Sequence, residues 1–279
     1  MVATITTAAT SCVESPTQYE GWELVWNEEF NNDGAPDPES WSYERGFVRN
    51  NELQWYQEAN AICKGGRLII EGRQEELIND KYDENGTSWR TTREKAHYTA
   101  ASIHTRDKRE FLYGRFEVRA KIPTSSGAWP AIWTLGKSAP WPSCGEIDML
   151  EYYQVDGVPH ILANVAHGND RQYNAVWDSE RIPYSYFTQK DHKWGEKFHV
   201  WRMDWDEEAI RLYLDDELLN ETLLINTVNG SIGNYSNPFN TPQYILLNLA
   251  MGSNGGEIDD SALPMIYEVD YVRIYQRSK

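Results

Sequence analysis

No stretch of the chain approaches ~18 consecutive apolar residues, so nothing in it reads as a membrane-spanning helix. Cysteine is scarce. Cys12, Cys63 and Cys144 are the only three in 279 residues, which allows one disulfide at most and no disulfide framework. Positive charge is scarce too: Lys plus Arg number 26 against 43 Asp plus Glu, a formal charge of −17. That balance argues against nucleic acid and anionic membrane surfaces as partners, and against heavily sulfated polysaccharides unless a local basic patch compensates. A neutral ligand fits most easily. No Pro/Gly/Ser-rich linker divides the chain, so a single domain is expected. No helical period is sustained, and there is no internal repeat.

The first eighteen residues lack the basic start and apolar core of an intact signal peptide. Residues 1–18 are therefore expected to be a flexible N-terminal segment, either the remnant of a processed leader or added sequence. Ala9-Thr10-Ser11-Cys12 looks faintly like a lipid-modified cysteine without its usual preceding Leu, which makes a surface anchor at Cys12 one expectation.

What the chain does have is Trp and Tyr, 12 and 17 against only 7 Phe. Both combine a flat apolar face with a polar handle, and the C–H faces of sugar rings stack on such surfaces. It also has many short alternating segments. Trp22, Leu24 and Trp26 alternate with polar neighbours in a first strand, and Leu68-Ile69-Ile70 reads as a short buried one. Arg115–Ile122 alternates cleanly, Phe116, Val118, Ala120 and Ile122 on one side. Ala128–Leu135 puts Trp129, Ala131 and Trp133 on one face. Phe198–Trp205 and Ile210–Leu214 form a hairpin, Tyr244–Met251 sets Asn248 apart from a row of aliphatics, and Val269–Tyr275 closes the chain. Gln74–Arg93, charged and irregular, is expected to be an exposed loop. Many short strands joined by loops mean an all-β sandwich or barrel.

The most informative segment is Gly145–Tyr153, G-E-I-D-M-L-E-Y-Y. On a regular strand Glu146 and Asp148 share a face and Glu151 points to the other. One extra residue in a β-bulge, around Met149 or Leu150, returns Glu151 to the first face. Crowded like charges cost stability unless something uses them. Retaining glycoside hydrolysis is such a use: it needs two carboxyl groups about 5–5.5 Å apart, one ionised and one protonated. Next-but-one residues on a strand are ~7 Å apart, so the bulge must also tilt the side chains together. The plainer alternatives are a calcium site or a solvated acidic strand.

The chain resembles the glycoside hydrolase family 16 enzymes, most closely the laminarinase-like endo-β-1,3(4)-glucanases. The resemblance rests on N-N-E-L-Q-W-Y at Asn50–Tyr56, Y-G-R-F-E-V-R-A-K-I-P at Tyr113–Pro123, G-A-W-P-A-I-W-T-L-G at Gly127–Gly136, W-P-S-C-G-E-I-D-M-L-E-Y at Trp141–Tyr152, L-L-N-L-A-M-G at Leu246–Gly252 and V-D-Y-V-R-I-Y-Q at Val269–Gln276. It implies a concanavalin A-like β-jelly roll of two curved antiparallel sheets, the concave one forming a substrate cleft, with residues 19–279 as the catalytic domain. It implies Glu146 as nucleophile, Glu151 as acid/base and Asp148 as assistant. It places Asn50, Glu52, Trp129, Trp133, His167 and Asn248 on the substrate. No catalytic cofactor is implied. A structural calcium is, held by the Asp270 side chain with backbone carbonyls near Glu29 and Glu71 and suited by oxygen-only ligation.

The resemblance further implies a neutral β-glucan partner, a monomer, and a secreted, periplasmic or cell-surface location. Three departures bear on the substrate. Gly252-Ser253-Asn254-Gly255 lacks the Trp usual at that point, Ala100–Thr105 lacks a common Arg, and Tyr153-Gln154 replaces Arg-Gly or Tyr-Gly. The long loop Asn226–Asn240 is expected to wall one end of the cleft. A galactan (agar or carrageenan type) as substrate, or a non-catalytic glucan-binding, lectin-like module, are the competing readings.

Overall fold

The computed structural model describes residues 15–278; the anchor expectation at Cys12 lies outside them. Alternation builds two sheets. In the outer one, strand Gly114–Lys121 buries Phe116, Val118 and Ala120, and its neighbour His199–Trp205 buries Trp201, Met203 and Trp205. That strand continues into Ala209–Leu214 as the expected hairpin. This sheet has ten strands, and the final strand Met265–Arg277 runs through its middle, longer at both ends than its apolar pattern implied.

The second sheet has seven strands, all antiparallel to their neighbours. From one edge they are Ala175–Pro183, Val158–Gly168, Glu146–Val155, Ala128–Gly136, Gln243–Met251, Ser102–His104 and Ser42–Tyr43. Ile132, Ile147, Leu150 and Leu247 from this sheet pack against Ile70, Phe116, Trp201 and Tyr267 from the other in one core. Each such side chain contributes roughly 2 kcal/mol on burial. The strand carrying the acids therefore helps anchor the sandwich through its opposite face, with Ile147, Met149, Leu150 and Tyr152 all buried.

The expected loop at Gln74–Arg93 is in part a strand. Leu68–Ile78 runs on past its apolar start and pairs with Lys95–Ala100, Gln74 opposite Tyr98 and Leu77 opposite Ala96. The long stems of Arg73, Gln74, Glu75 and Glu76 hide the alternation, because this edge hairpin faces solvent. A helical turn, Trp89–Thr92, follows, and a second short helix spans Tyr184–Lys190. No helix among the described residues is long and apolar enough to cross a membrane. Cys63 and Cys144 are buried free thiols.

Candidate active site

The register of the seven-stranded sheet decides which side chains meet. Against Val158–Gly168, Asp148 pairs Asn164 but Glu151 pairs Leu162. Three steps along the acid strand thus match two on its neighbour, and against Ala128–Gly136 the pairing likewise jumps between Asp148 and Leu150. That is a β-bulge at Met149, and it returns Glu151 to the face of Glu146 and Asp148. Directly paired residues share a face, so three rows cross the sheet. Tyr244, Leu135, Glu146, Ala166 and Trp177 form one; Leu246, Trp133, Asp148, Asn164 and Ser179 the next; Asn248, Ala131, Glu151, Leu162 and Arg181 the third.

Over these rows lies a cavity of about 440 Å³ lined by Glu146, Asp148 and Glu151 with Asn50, Glu52, Trp129, Trp133 and Asn248. Arg49, Trp141, Tyr153, Trp177 and Asn254 complete its walls. Gly145, at φ +79°, starts the acid strand; a Cβ there would meet Phe239 Cε1 at 2.9 Å and Pro238 Cβ at 2.9 Å. Those two residues belong to the loop Asn226–Asn240, which does not line the cavity. It braces the site from outside instead: Asn229 accepts from the Gly168 amide at 2.7 Å and donates to the Ser143 carbonyl at 2.9 Å.

Each acid is held by a specific donor. Trp141 Nε1 donates to Glu146 Oε2 at 2.6 Å, and Trp129 Nε1 to Glu151 Oε1 at 2.9 Å. Asn164 Nδ2 bridges Asp148 Oδ2 at 3.3 Å and Glu151 Oε2 at 2.9 Å. Asp148 and Glu146 are bonded side chain to side chain. Burial is the first cause of every shift here. It lifts Glu146 to about 7, against the pull of Trp141 and the Arg49 charge. It lifts Glu151 to about 8, helped by the Glu146 charge. Burial, then the charges of Glu146 and Glu151, push Asp148 well above the usual carboxylate range. A neutral Asp148 can donate to Glu146, and the site holds protons at neutral pH that free carboxyls would release.

Trp129 and Trp133 line the cavity, though little of either is exposed. Trp133 is 6% exposed, bonds Asn248 through Nε1 at 2.7 Å, and has the Arg49 guanidinium 5.0 Å over its ring. Trp129 is 5% exposed and packs edge-on against Tyr153. Both commit their indole N–H to another side chain. The open indoles of the cleft are Trp141, 37% exposed, and Trp177, 45% exposed. Trp177 was legible as an aromatic on an alternating segment, but only the register places it in the row of Glu146.

His167 is corrected. Its neighbour Ala166 pairs Glu146, so His167 points to the opposite face, where it is 8% exposed and bonds the Gly168 carbonyl at 3.0 Å. Asn164 stands beside the acids instead. Asn248 and Glu52 are in place: Asn248 donates to Tyr56 OH at 3.1 Å, and Glu52 accepts from Gln54 at 2.7 Å and from Asn50 at 3.4 Å.

The residues expected to hold calcium already have protein partners. Arg119 Nη1 donates to Asp270 Oδ2 at 2.6 Å, Arg273 Nε to Glu29 Oε1 at 2.9 Å, and Asn60 Nδ2 to the Glu71 carbonyl at 2.7 Å. Arginine and amide protons thus engage one Asp270 oxygen and the Glu71 carbonyl, while the Arg273 bond goes to the Glu29 side chain and not to its backbone carbonyl. No group of three or more His, Cys, Asp or Glu suited to a metal occurs among the described residues.

Neighbouring carboxyls, one poised to hold a proton above neutrality, set on a sheet floor under exposed indoles, define a glycoside hydrolase. The chain belongs to glycosyl hydrolases family 16, whose pattern matches residues 72–273. It is 35% identical to a beta-glucanase of Rhodothermus marinus over 91% of this chain and 85% of that one. Among solved structures it is similar to the laminarinase catalytic domain of Thermotoga maritima MSB8, with TM-score 0.73, 30% identity, and 93% and 100% of the two chains covered. It is also similar to a structure from work on endo-acting O-glycanases with which human gut microbiota initiate mucin breakdown, with TM-score 0.82, 33% identity, and 94% and 93% covered. The family's jelly roll accounts for the two sheets.

Proposed function

We propose that the protein is an endo-acting, retaining β-glucanase that hydrolyses β-1,3- or mixed-linkage β-1,3-1,4-glucans by double displacement. The observation that carries this reading is the bulge at Met149, which sets Glu146 and Glu151 on one face of one strand beneath the cleft. Glu151, the more proton-retentive of the two, gives its proton to the glycosidic oxygen. The Glu146 carboxylate attacks the anomeric carbon, the glycosidic bond breaks, and a glycosyl ester forms on Glu146. Glu151, now a carboxylate, takes a proton from water, whose oxygen attacks the same carbon and releases Glu146. Asp148 orients Glu146 by donating to it, and Asn164 keeps Asp148 and Glu151 in register.

Five strands at ~4.8 Å spacing give the floor a width of ~19 Å, enough for several sugar units of a chain lying across it. Asn50, Glu52 and Asn248 offer polar atoms on one flank, Trp177 a stacking face on the other. Neither half-reaction needs a cofactor, and calcium has no part in the proposal. A polymeric neutral substrate fits a monomer acting outside the cytoplasm, whether secreted, periplasmic or on the cell surface.

Glu146→Gln and Glu151→Gln test the reading. Each is expected to abolish release of reducing sugar from laminarin and barley glucan while circular dichroism stays unchanged; full activity in either would sink it. A glucan-binding module without hydrolysis would show as tight laminarin binding with no reducing sugar released by the unaltered protein. One observation favours a second substrate: the TM-score of 0.82 with the O-glycanase structure exceeds the 0.73 with the laminarinase. Product analysis across glucans, galactans and mucin O-glycans separates the two.

A further inference from the structure

Among the described residues Arg49 is the one basic side chain lining the cleft, which it shares with four carboxyls, Glu52, Glu146, Asp148 and Glu151. The missing Arg of the strand through Ser102 makes that position notable. Ser102 carries no charge, but its Oγ donates to Glu44 Oε2 at 2.6 Å, and Glu44 in turn ion-pairs with Arg49. A cation is thus delivered to this end of the cleft by a different segment, and it is clamped there. Glu44 holds one side of the guanidinium and the Trp133 ring the other, at 5.0 Å. Trp133 is the direct cross-strand partner of Asp148, which places the charge one row from Glu146.

We propose that Arg49 is a positioning residue that makes Glu146, rather than Glu151, the ionised member of the pair, and so fixes which carboxyl attacks and which donates. The inference rests on the retaining mechanism above. Its field is one-sided: Arg49 favours the charged form of Glu146, whereas the charge felt by Glu151 from the neighbouring wall is that of Glu52, which opposes ionisation. Besides Glu44, the groups facing Arg49 are Glu52 and Tyr56 on the preceding wall, His104 and Tyr244 on the sheet floor, and Glu146 itself. Those facing Glu146 are Trp141, Asp148, Glu151, Arg49 and the Cys144 thiol. Among them Arg49 is the permanent cation. A sugar-binding role alone would not require the guanidinium to be locked between a carboxylate and an indole.

The test is the pH dependence of kcat/KM on a soluble glucan for the unaltered protein, Arg49→Met, Arg49→Lys and Glu44→Gln, with Glu146→Gln as control. A unit charge a few ångströms away in a half-buried site moves a carboxyl pKa by roughly one unit. Arg49→Met is expected to displace the acidic limb upward by about one pH unit, which lowers kcat/KM about tenfold on that limb and leaves the alkaline limb in place. Arg49→Lys is expected to restore most of the displacement. Glu44→Gln removes the counter-charge, and its limb is expected to move down. A uniform loss at every pH in Arg49→Met, or a shift of Glu44→Gln in the same direction, overturns the inference. The Glu44→Gln and Arg49→Lys arms decide it even where Arg49→Met fails to fold. Activity surviving in Glu146→Gln would instead bring down the mechanism on which the inference stands.

Discussion

Removing the Glu151 carboxyl should make the protein more stable, and only at high pH. Glu151 titrates near 4.5 in an unfolded chain and at about 8 in the folded one. A folded value above the unfolded one means that folding takes up a proton between those limits. The associated stability is complete below pH 4.5 and is lost as pH rises through 8. The full span corresponds to a ceiling of roughly 5 kcal/mol, at about 1.4 kcal/mol per unit. Relaxation and coupling to Glu146 and Asp148 reduce it, so about 2 kcal/mol is expected.

Glu151→Gln mimics the protonated acid. It keeps one acceptor for Trp129 or Asn164 and loses the other, as the neutral carboxyl does. At pH 5 the variant and the parent should therefore melt within a degree or two of each other. At pH 9 the variant should melt about 5 °C higher, given ~2–4 °C per kcal/mol for a domain of this size. Thermal unfolding followed by circular dichroism at both pH values measures this. A melting difference that is the same at pH 5 and pH 9, or one that favours the parent at pH 9, refutes the idea that Glu151 is kept protonated by burial.

Three further outcomes follow from the same geometry. Deleting Met149 should straighten the strand, keep Glu151 on the cleft face by plain alternation and retain measurable reducing-sugar release, whereas deleting Met149 and Leu150 together should turn Glu151 to the core side and take hydrolysis below detection. Trp141→Phe loses a charge-assisted hydrogen bond to Glu146, a loss of roughly 1.5–3 kcal/mol that should lower kcat about tenfold to a hundredfold with little change in melting. Excess chelator should leave the melting temperature unmoved, because Arg119 and Arg273 already satisfy the Asp270 and Glu29 carboxylates; a fall of several degrees, reversed by calcium, would contradict the pairing.

The four tryptophans of the cleft differ in how they are held. Trp133 has Arg49 over its ring and Trp129 is engaged with Glu151, which leaves Trp141 and Trp177 as the exposed indoles of the cleft. Both lie in or beside the row of Glu146, and Trp177 sits on the edge strand Ala175–Pro183.

The sequence alone determined the sandwich and the chemistry, because both depend on local periodicity. Period-two alternation marks the core strands, and Glu146, Asp148 and Glu151 within six residues demand a bulge that can be placed almost to the residue. Elements whose alternation was masked by long charged stems, as in Leu68–Ile78, were legible only in part. What the sequence could not carry was the meeting of distant segments. His167 turns away because its strand pairs Ala166, not His167, with Glu146. Trp133 meets an arginine from another loop over its ring, and Asp270 pairs with Arg119. Register and ion pairing are nonlocal: a shift of one residue reverses every side chain on a strand, and only the tertiary structure fixes which charge reaches which.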